Sequence, residues 1–342
     1  MNDLIAPRRP PAGSRRKLSW KSPRLRGLVY QALGLALMAL LGWLLIGTTL
    51  ANMRLRGIQS GFDFLLQPAG FDIGEGWLSY DSANPYWKAF LVGMVNTLRV
   101  AVMGCLLATL LGTLLGMARF SRNALLRGLS HGYVELFRNI PLLLQLLMWY
   151  LLFIEYLPLP SEALSMGKMI FLSKNGLSFP SLVWQQGQAR WDVPFVGEMQ
   201  VEGGGALSPE YLAVLLGLVL YTAAFIAEVV RAGIASVPRG QHEAGASIGL
   251  TRARAMRLIV LPQALRLIIP PLTNQYLNLT KNSSLAVAVG YPELVSIANT
   301  SLNQSGRAVE CIAIIMGVYL TLSLLTSAFM NWFNRRVAIK ER

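Results

Sequence analysis

Charge is what this sequence has least of. Only 14% of its 342 residues are Asp, Glu, Lys or Arg, against about 25% in a typical soluble domain. The deficit is concentrated: residues 27–53, 100–118 and 311–334 contain no charged side chain. A helix rises about 1.5 Å per residue and needs roughly 20 apolar residues to cross about 30 Å of hydrocarbon, so these stretches exclude a soluble globular protein. Cysteine is almost absent too. Cys105 and Cys311 both lie in or beside apolar runs, which excludes a disulfide scaffold and reads them as buried thiols without a redox role. His131 and His242 are isolated and lack metal-ligand spacing. No G-x-x-x-x-G-K-[ST] phosphate loop is present, since Gly167-Lys168 is followed by Met169. With no nucleophile–base constellation either, the chain is expected to be no enzyme and to hold no cofactor or metal of its own.

What is present in their place is apolar sequence, 54% of the chain. Six spans are expected, near 27–51, 90–118, 139–157, 211–230, 265–289 and 310–333. The first run is too long for a typical cleaved signal segment and reads as a retained helix. The formal net charge of +14 is read as a membrane-orientation signal rather than as nucleic-acid binding. A basic tail over 1–26, rich in Arg, Pro and Ser, is expected to be disordered. Basic residues recur after span two (Arg119, Arg122, Arg127), after span four (Arg231, Arg239, Arg252, Arg254, Arg257) and over 335–342. The alternate loops lean acidic, with Asp63, Asp72, Glu75 and Asp81 in one and Glu162, Asp192, Glu198, Glu202 and Glu210 in another. Lys and Arg mark the cytoplasmic side, so both termini are expected inside. The domains are then the tail, a first helix and external loop over 27–87, a transmembrane domain over 88–334, and the C-terminal tail 335–342. The external insert 158–210 carries Trp184, Trp191, Phe179 and Phe195 and is read as lying on the outer face.

The loop between spans four and five has a distinctive composition. Pro238 and Gly240 end the preceding helix, Gln241 to Ile248 suffices for about two helical turns, and Gly249 supplies a permissive helix end. A second short helix from Thr251 follows, and Pro262 suits the first turn of a longer one. Glu243 and Ala244, with Gly245 in place of a second Ala, then Gly249, Ile259, Leu261 and Pro262, resemble the Glu-Ala-Ala loop of ABC-transporter permeases. Three stretches resemble the polar amino-acid (histidine-type) branch of that family: Glu135-Leu136-Phe137-Arg138-Asn139-Ile140-Pro141, Ala227-Glu228-Val229-Val230-Arg231, and Tyr276 to Ala286. The similarity covers about residues 88–340, and the first span and long insert fit the general L-amino-acid importers.

The resemblance implies an all-α integral membrane protein in the type I importer arrangement, with the 237–263 loop as a cytoplasmic coupling helix. It assigns ATPase coupling to Glu243, Ala244, Gly245, Ala246, Gly249, Leu261 and Pro262. It implies a cytoplasmic ABC ATPase dimer that holds ATP and Mg, a periplasmic amino-acid-binding protein, and a sister permease, with a heterodimer favoured. Independently of it, Arg99, Asn278, Thr280, Lys281, Asn282, Ser283 and Ser284 are polar groups in or near spans. Such groups face a wet path or glue helices together. Glu135 with Arg138, and Glu228 with Arg231, are three apart and can pair on one helical face. Two other functions fit the composition: an ion-coupled secondary amino-acid transporter, against which no clear repeat and no carboxylate deep in a span can be found, and a structural subunit of a larger complex.

Overall fold

A computed structural model describes residues 23–337, apart from 56, 58, 59, 168, 186, 187, 198 and 199. Most of the 1–26 tail and the last five residues of the 335–342 tail lie outside the described residues. The chain divides into two units, Met1–Ser60 and Gly61–Arg342. In the first, α1 (Pro23–Leu55) is a 33-residue helix, about 50 Å long.

The second unit is built on two long helices, α2 (Tyr86–Ala118) and α5 (Pro209–Ala235). They approach closely because α2 places a small residue every fourth position, at Gly104, Ala108, Gly112 and Gly116. A Cβ on Gly112 would lie 2.7 Å from Ile226 Cβ and 2.8 Å from the Ala223 carbonyl oxygen. Helix association in lipid depends on such backbone approach, since no hydrophobic drive separates helix from solvent there. We expect Gly112→Leu to prevent accumulation of folded chain, because overpacking a tight contact costs about 1–3 kcal/mol. Gly132→Ala, with nothing within 4 Å of the added carbon, should accumulate normally; equal membrane levels of the two variants on immunoblotting would contradict this packing.

The third crossing departs from the sequence reading. Residues 139–157 were expected to span alone, yet α4 (Leu142–Tyr156) has 15 residues, about 22 Å of helix, too short for the hydrocarbon. It is preceded by α3 (Ala124–Asn139), and the two pass the composition test for a span together, bent by 104° at the break. The Tyr133 hydroxyl donates to the Leu220 carbonyl in the middle of α5 at 2.8 Å, so α3 runs along the core rather than serving as a loop. The break frees carbonyls that lipid cannot satisfy. Buried Gln145 answers two of them, donating Nε2 to Phe137 O (3.0 Å) and Ile140 O (2.9 Å).

Beyond α5 come α6 (Arg239–Ser247) and α7 (Arg252–Ala255), then a π turn over Met256–Val260 leading into α8 (Leu261–Asn282). A tight helical turn over Ser283–Val289 follows, then α9 (Leu294–Ser305), which no expected span included, and α10 (Ala308–Val337). The main core joins Leu146, Leu218, Ile226, Leu279 and Tyr291. Five helices are long and apolar enough to cross a membrane, or six with the bent pair, among the described residues.

The fold is predominantly helical, and the insert is its β exception. β1 (Leu164–Met166), β2 (Ile170–Ser173), β3 (Gly176–Phe179) and β8 (Gly205–Leu207) form an antiparallel sheet in that order. β4 (Ser181–Gln185) pairs with β5 (Gln188–Asp192), and β6 (Phe195–Val196) with β7 (Val201–Glu202).

Candidate coupling surface and translocation face

The α6–α7 corner is closed by its own backbone. Gly249 N–H donates to Ala246 O at 3.0 Å and Leu250 N–H to Gly245 O at 3.1 Å, the paired bonds that end a helix on a left-handed residue. Gly249 holds φ +78°, a region from which a β-branched side chain is excluded. Thr251 then caps α7 by accepting from Arg254 N–H.

Its small residues divide into two groups. Gly245 is buried, and a Cβ there would lie 3.0 Å from Ile259 Cδ1 and 3.4 Å from Ala255 Cβ. Its smallness lets α6 settle on the following helical turns. Glu243, Ala244, Ala246 and Ser247 are exposed. Glu243 also lies past the first turn of α6, so it does not serve the helix start, and its carboxylate has no partner among the described residues. Ile248, which the motif does not single out, is 74% exposed. Leu261 and Pro262 are half-buried at the head of α8.

The polar candidates separate as well. Thr280 and Ser283 are buried and donate within their own helical turns, to Tyr276 O and Thr280 O. Ser284, half-buried, donates to Lys281 O. Asn278 and Lys281 are exposed, with Asn282 half-buried beside them. Leu267, Pro270, Asn274, Asn278 and Lys281 are all exposed at spacings of three and four, which is one helical face. That face becomes polar toward its end, and Asn274 was missed because a lone Asn in an apolar helix carries no pattern.

Arg99 lies elsewhere. It donates to Glu75 Oε1 at 2.7 Å, and its guanidinium stands 4.1 Å from the Tyr211 ring and 5.2 Å from Trp77. Ser208, which caps α5 by accepting from Tyr211 N–H, donates to the other Glu75 oxygen. Arg99 therefore ties the 61–85 segment to α2 and α5. Glu228 pairs with Arg231, and also with Arg119 at 2.7 Å. Glu135 and Arg138 do not pair: both are exposed, and Arg138 lies 5.2 Å over the Phe225 ring instead.

Among the described residues, five or six apolar helices, a bent α3–α4 pair and a buried α2–α5 pair define a multi-pass helical membrane protein. Residues 108–339 match the binding-protein-dependent transport system inner membrane component family, and the chain belongs to it. It is 41% identical to the general L-amino acid transport system permease protein AapQ of Rhizobium johnstonii, over 94% of each chain. It is 32% identical to the glutamate/aspartate import permease protein GltJ of Escherichia coli K12, over 81% of this chain and 94% of the relative. Among solved structures, an amino acid ABC transporter with histidines superposes with TM-score 0.55 at 25% identity, covering 73% of this chain and 95% of that one. The chain is a permease subunit of a binding-protein-dependent ABC importer for amino acids.

Proposed function

We propose that α6 is the element through which this permease is driven. Its exposed face, Glu243, Ala244, Ala246, Ser247 and Ile248, enters a groove on a cytoplasmic ATPase that holds ATP and Mg. The observation that carries this reading is Ile248, a large apolar side chain left 74% exposed at the end of a polar helix. A β-branched apolar group in that position suits an anchor in a partner's pocket. ATP hydrolysis belongs to that partner, and this chain supplies the path.

The α8 stripe of Asn274, Asn278 and Lys281 supports a role as path lining. Polar side chains in a membrane span are costly unless they face protein or water, and these three are exposed among the described residues. A sister permease, most simply a homologous second chain, completes the path opposite that face, and a periplasmic binding protein delivers an L-amino acid to the outer side. Co-purification from native membranes tests this assembly: a nucleotide-hydrolysing subunit and a second permease are expected, and a chain purifying alone with ion-driven uptake would contradict it.

Both termini are placed in the cytoplasm on this reading, with the β insert outside. A cysteine at Ser178, in β3, should react with an impermeant thiol reagent applied from outside. A cysteine at Ser121, between α2 and α3, should not. The reverse labelling would overturn the orientation.

A further inference from the structure

At the ends of α2, α3 and α5 lies a cavity of about 530 Å³ walled by Arg119, Phe120, Arg127, His131 and Arg231. Three of these side chains are guanidiniums, permanently charged. Among the described residues the only carboxylate bonded to them is Glu228, shared by Arg119 and Arg231. Three positive charges against one negative leave two uncompensated. Among the described residues the Arg127 side chain makes one hydrogen bond, donating to the Ser121 carbonyl at 3.3 Å, so most of its donors are unused there. Arg119 Nη2 lies 3.0 Å from His131 Nδ1. A guanidinium only donates, so Nδ1 is the accepting atom of this contact.

The neighbouring surface is of the opposite character. α3 contributes Ala124, Arg127, Gly128 and His131 to the cavity. On the adjoining face of the same helix, Leu125 and Leu129 are 70% and 64% exposed. A ligand that satisfies both surfaces has an anionic head and an apolar body. A free phosphate would satisfy only the first.

We infer that this cavity is a headgroup site for an anionic phospholipid, with the phosphate among Arg119, Arg127, His131 and Arg231 and the acyl chains along Leu125 and Leu129. The inference rests on the proposed orientation only in assigning the lipid to the cytoplasmic leaflet. The cations themselves, and the leucines beside them, do not depend on it. Basic pockets between spanning helices are a recurrent setting for anionic headgroups.

The test uses the full chain in detergent, with bound lipid counted by native mass spectrometry after addition of phosphatidylglycerol, phosphatidylcholine or glycerol 3-phosphate. Phosphatidylglycerol should be retained over phosphatidylcholine by at least about fivefold, the effect of one arginine near a charged headgroup. Arg127→Gln should remove about that factor, and Arg127→Lys should keep most of it. Arg336→Gln, an exposed arginine in the last turn of α10, should change nothing. Each variant is first required to match the parent's elution profile; if Arg127→Gln fails that, Leu125→Ser with Leu129→Ser replaces it and should lower lipid retention. Equal retention of the two lipids, or an unchanged preference in Arg127→Gln, overturns the site. Displacement of phosphatidylglycerol by millimolar glycerol 3-phosphate would make the ligand a free anion and overturn the lipid assignment. None of these results depends on whether α6 binds an ATPase, so failure here and failure of the coupling proposal are separable.

Discussion

Ile248→Asp should abolish retention of the ATPase on the permease while leaving the permease folded in the membrane. Burying an isoleucine side chain contributes about 1.5–3 kcal/mol, and an aspartate in the same pocket adds an unpaired buried charge. A loss of only about 2.8 kcal/mol weakens binding by about 100-fold, enough to lose the partner on a column. Ile248→Ala should be intermediate, near a tenfold loss. The side chain is 74% exposed at the end of α6, so neither change should alter melting of the isolated permease. The structure also redirects the obvious experiment on this loop. A bulky residue at Gly245 would collide with Ile259 and Ala255 and would disturb the corner itself. Gly249→Val would do the same by resisting the positive φ. Loss of coupling in either would report on the loop's fold, whereas loss in Ile248→Asp or Ala246→Trp would report on its partner. Retention of the ATPase by Ile248→Asp at parental levels removes Ile248 as the anchor.

Lys281→Met should reduce amino-acid uptake at least about tenfold with normal protein levels. A hydrogen bond to a charged group contributes about 1.5–3 kcal/mol, and each 1.4 kcal/mol is about tenfold. Lys281 is exposed in the last turn of α8 on the same face as Asn278 and Asn274, so the substitution opens no cavity in this chain. Lys281→Arg, which keeps the charge, should retain more activity than Lys281→Met. Ser283→Ala provides the contrast. That hydroxyl is buried and bonded to its own helix, so its loss should lower thermal stability modestly and leave the transport kinetics unchanged. Parental uptake by Lys281→Met would take the α8 face out of the path.

Long features were legible in the sequence and short-range geometry was not. Uncharged runs announced α1, α2 and α10 because nothing else explains 19 or more consecutive residues without charge. The expected span 139–157 contains α4, but α3 before it was read as loop because it carries Arg127, His131, Glu135 and Arg138. A charged amphipathic helix reads as a loop unless its packing on α5 is seen. The insert's β strands run two to five residues, too short for alternation to register. Residue type suggested Arg99 as a path residue, yet its role depends on Glu75, twenty-four positions away, a separation no local pattern reports. The Glu228–Arg231 pair was readable because helical spacing alone brings it together, while Arg119, its second partner, comes from another helix. Glu135 and Arg138 have the same spacing and fail to pair, because Phe225 on α5 offers the guanidinium another surface. The motif marked the loop proposed for coupling but not which of its residues are exposed; burial alone distinguishes Gly245 from Ala246.

The most direct test of the central claim is a photoreactive residue at Ala246, with cross-linked partners identified by mass spectrometry from native membranes. Ala246 is exposed on α6, and a probe there replaces no packed atom. The product expected is an adduct to a nucleotide-hydrolysing subunit carrying a G-x-x-x-x-G-K-[ST] loop. It should be absent when the same probe is placed at Ser178 in the β insert. An adduct from Ala246 only to lipid or to another permease, or an ATPase adduct from Ser178, would contradict the claim that α6 couples this permease to its motor.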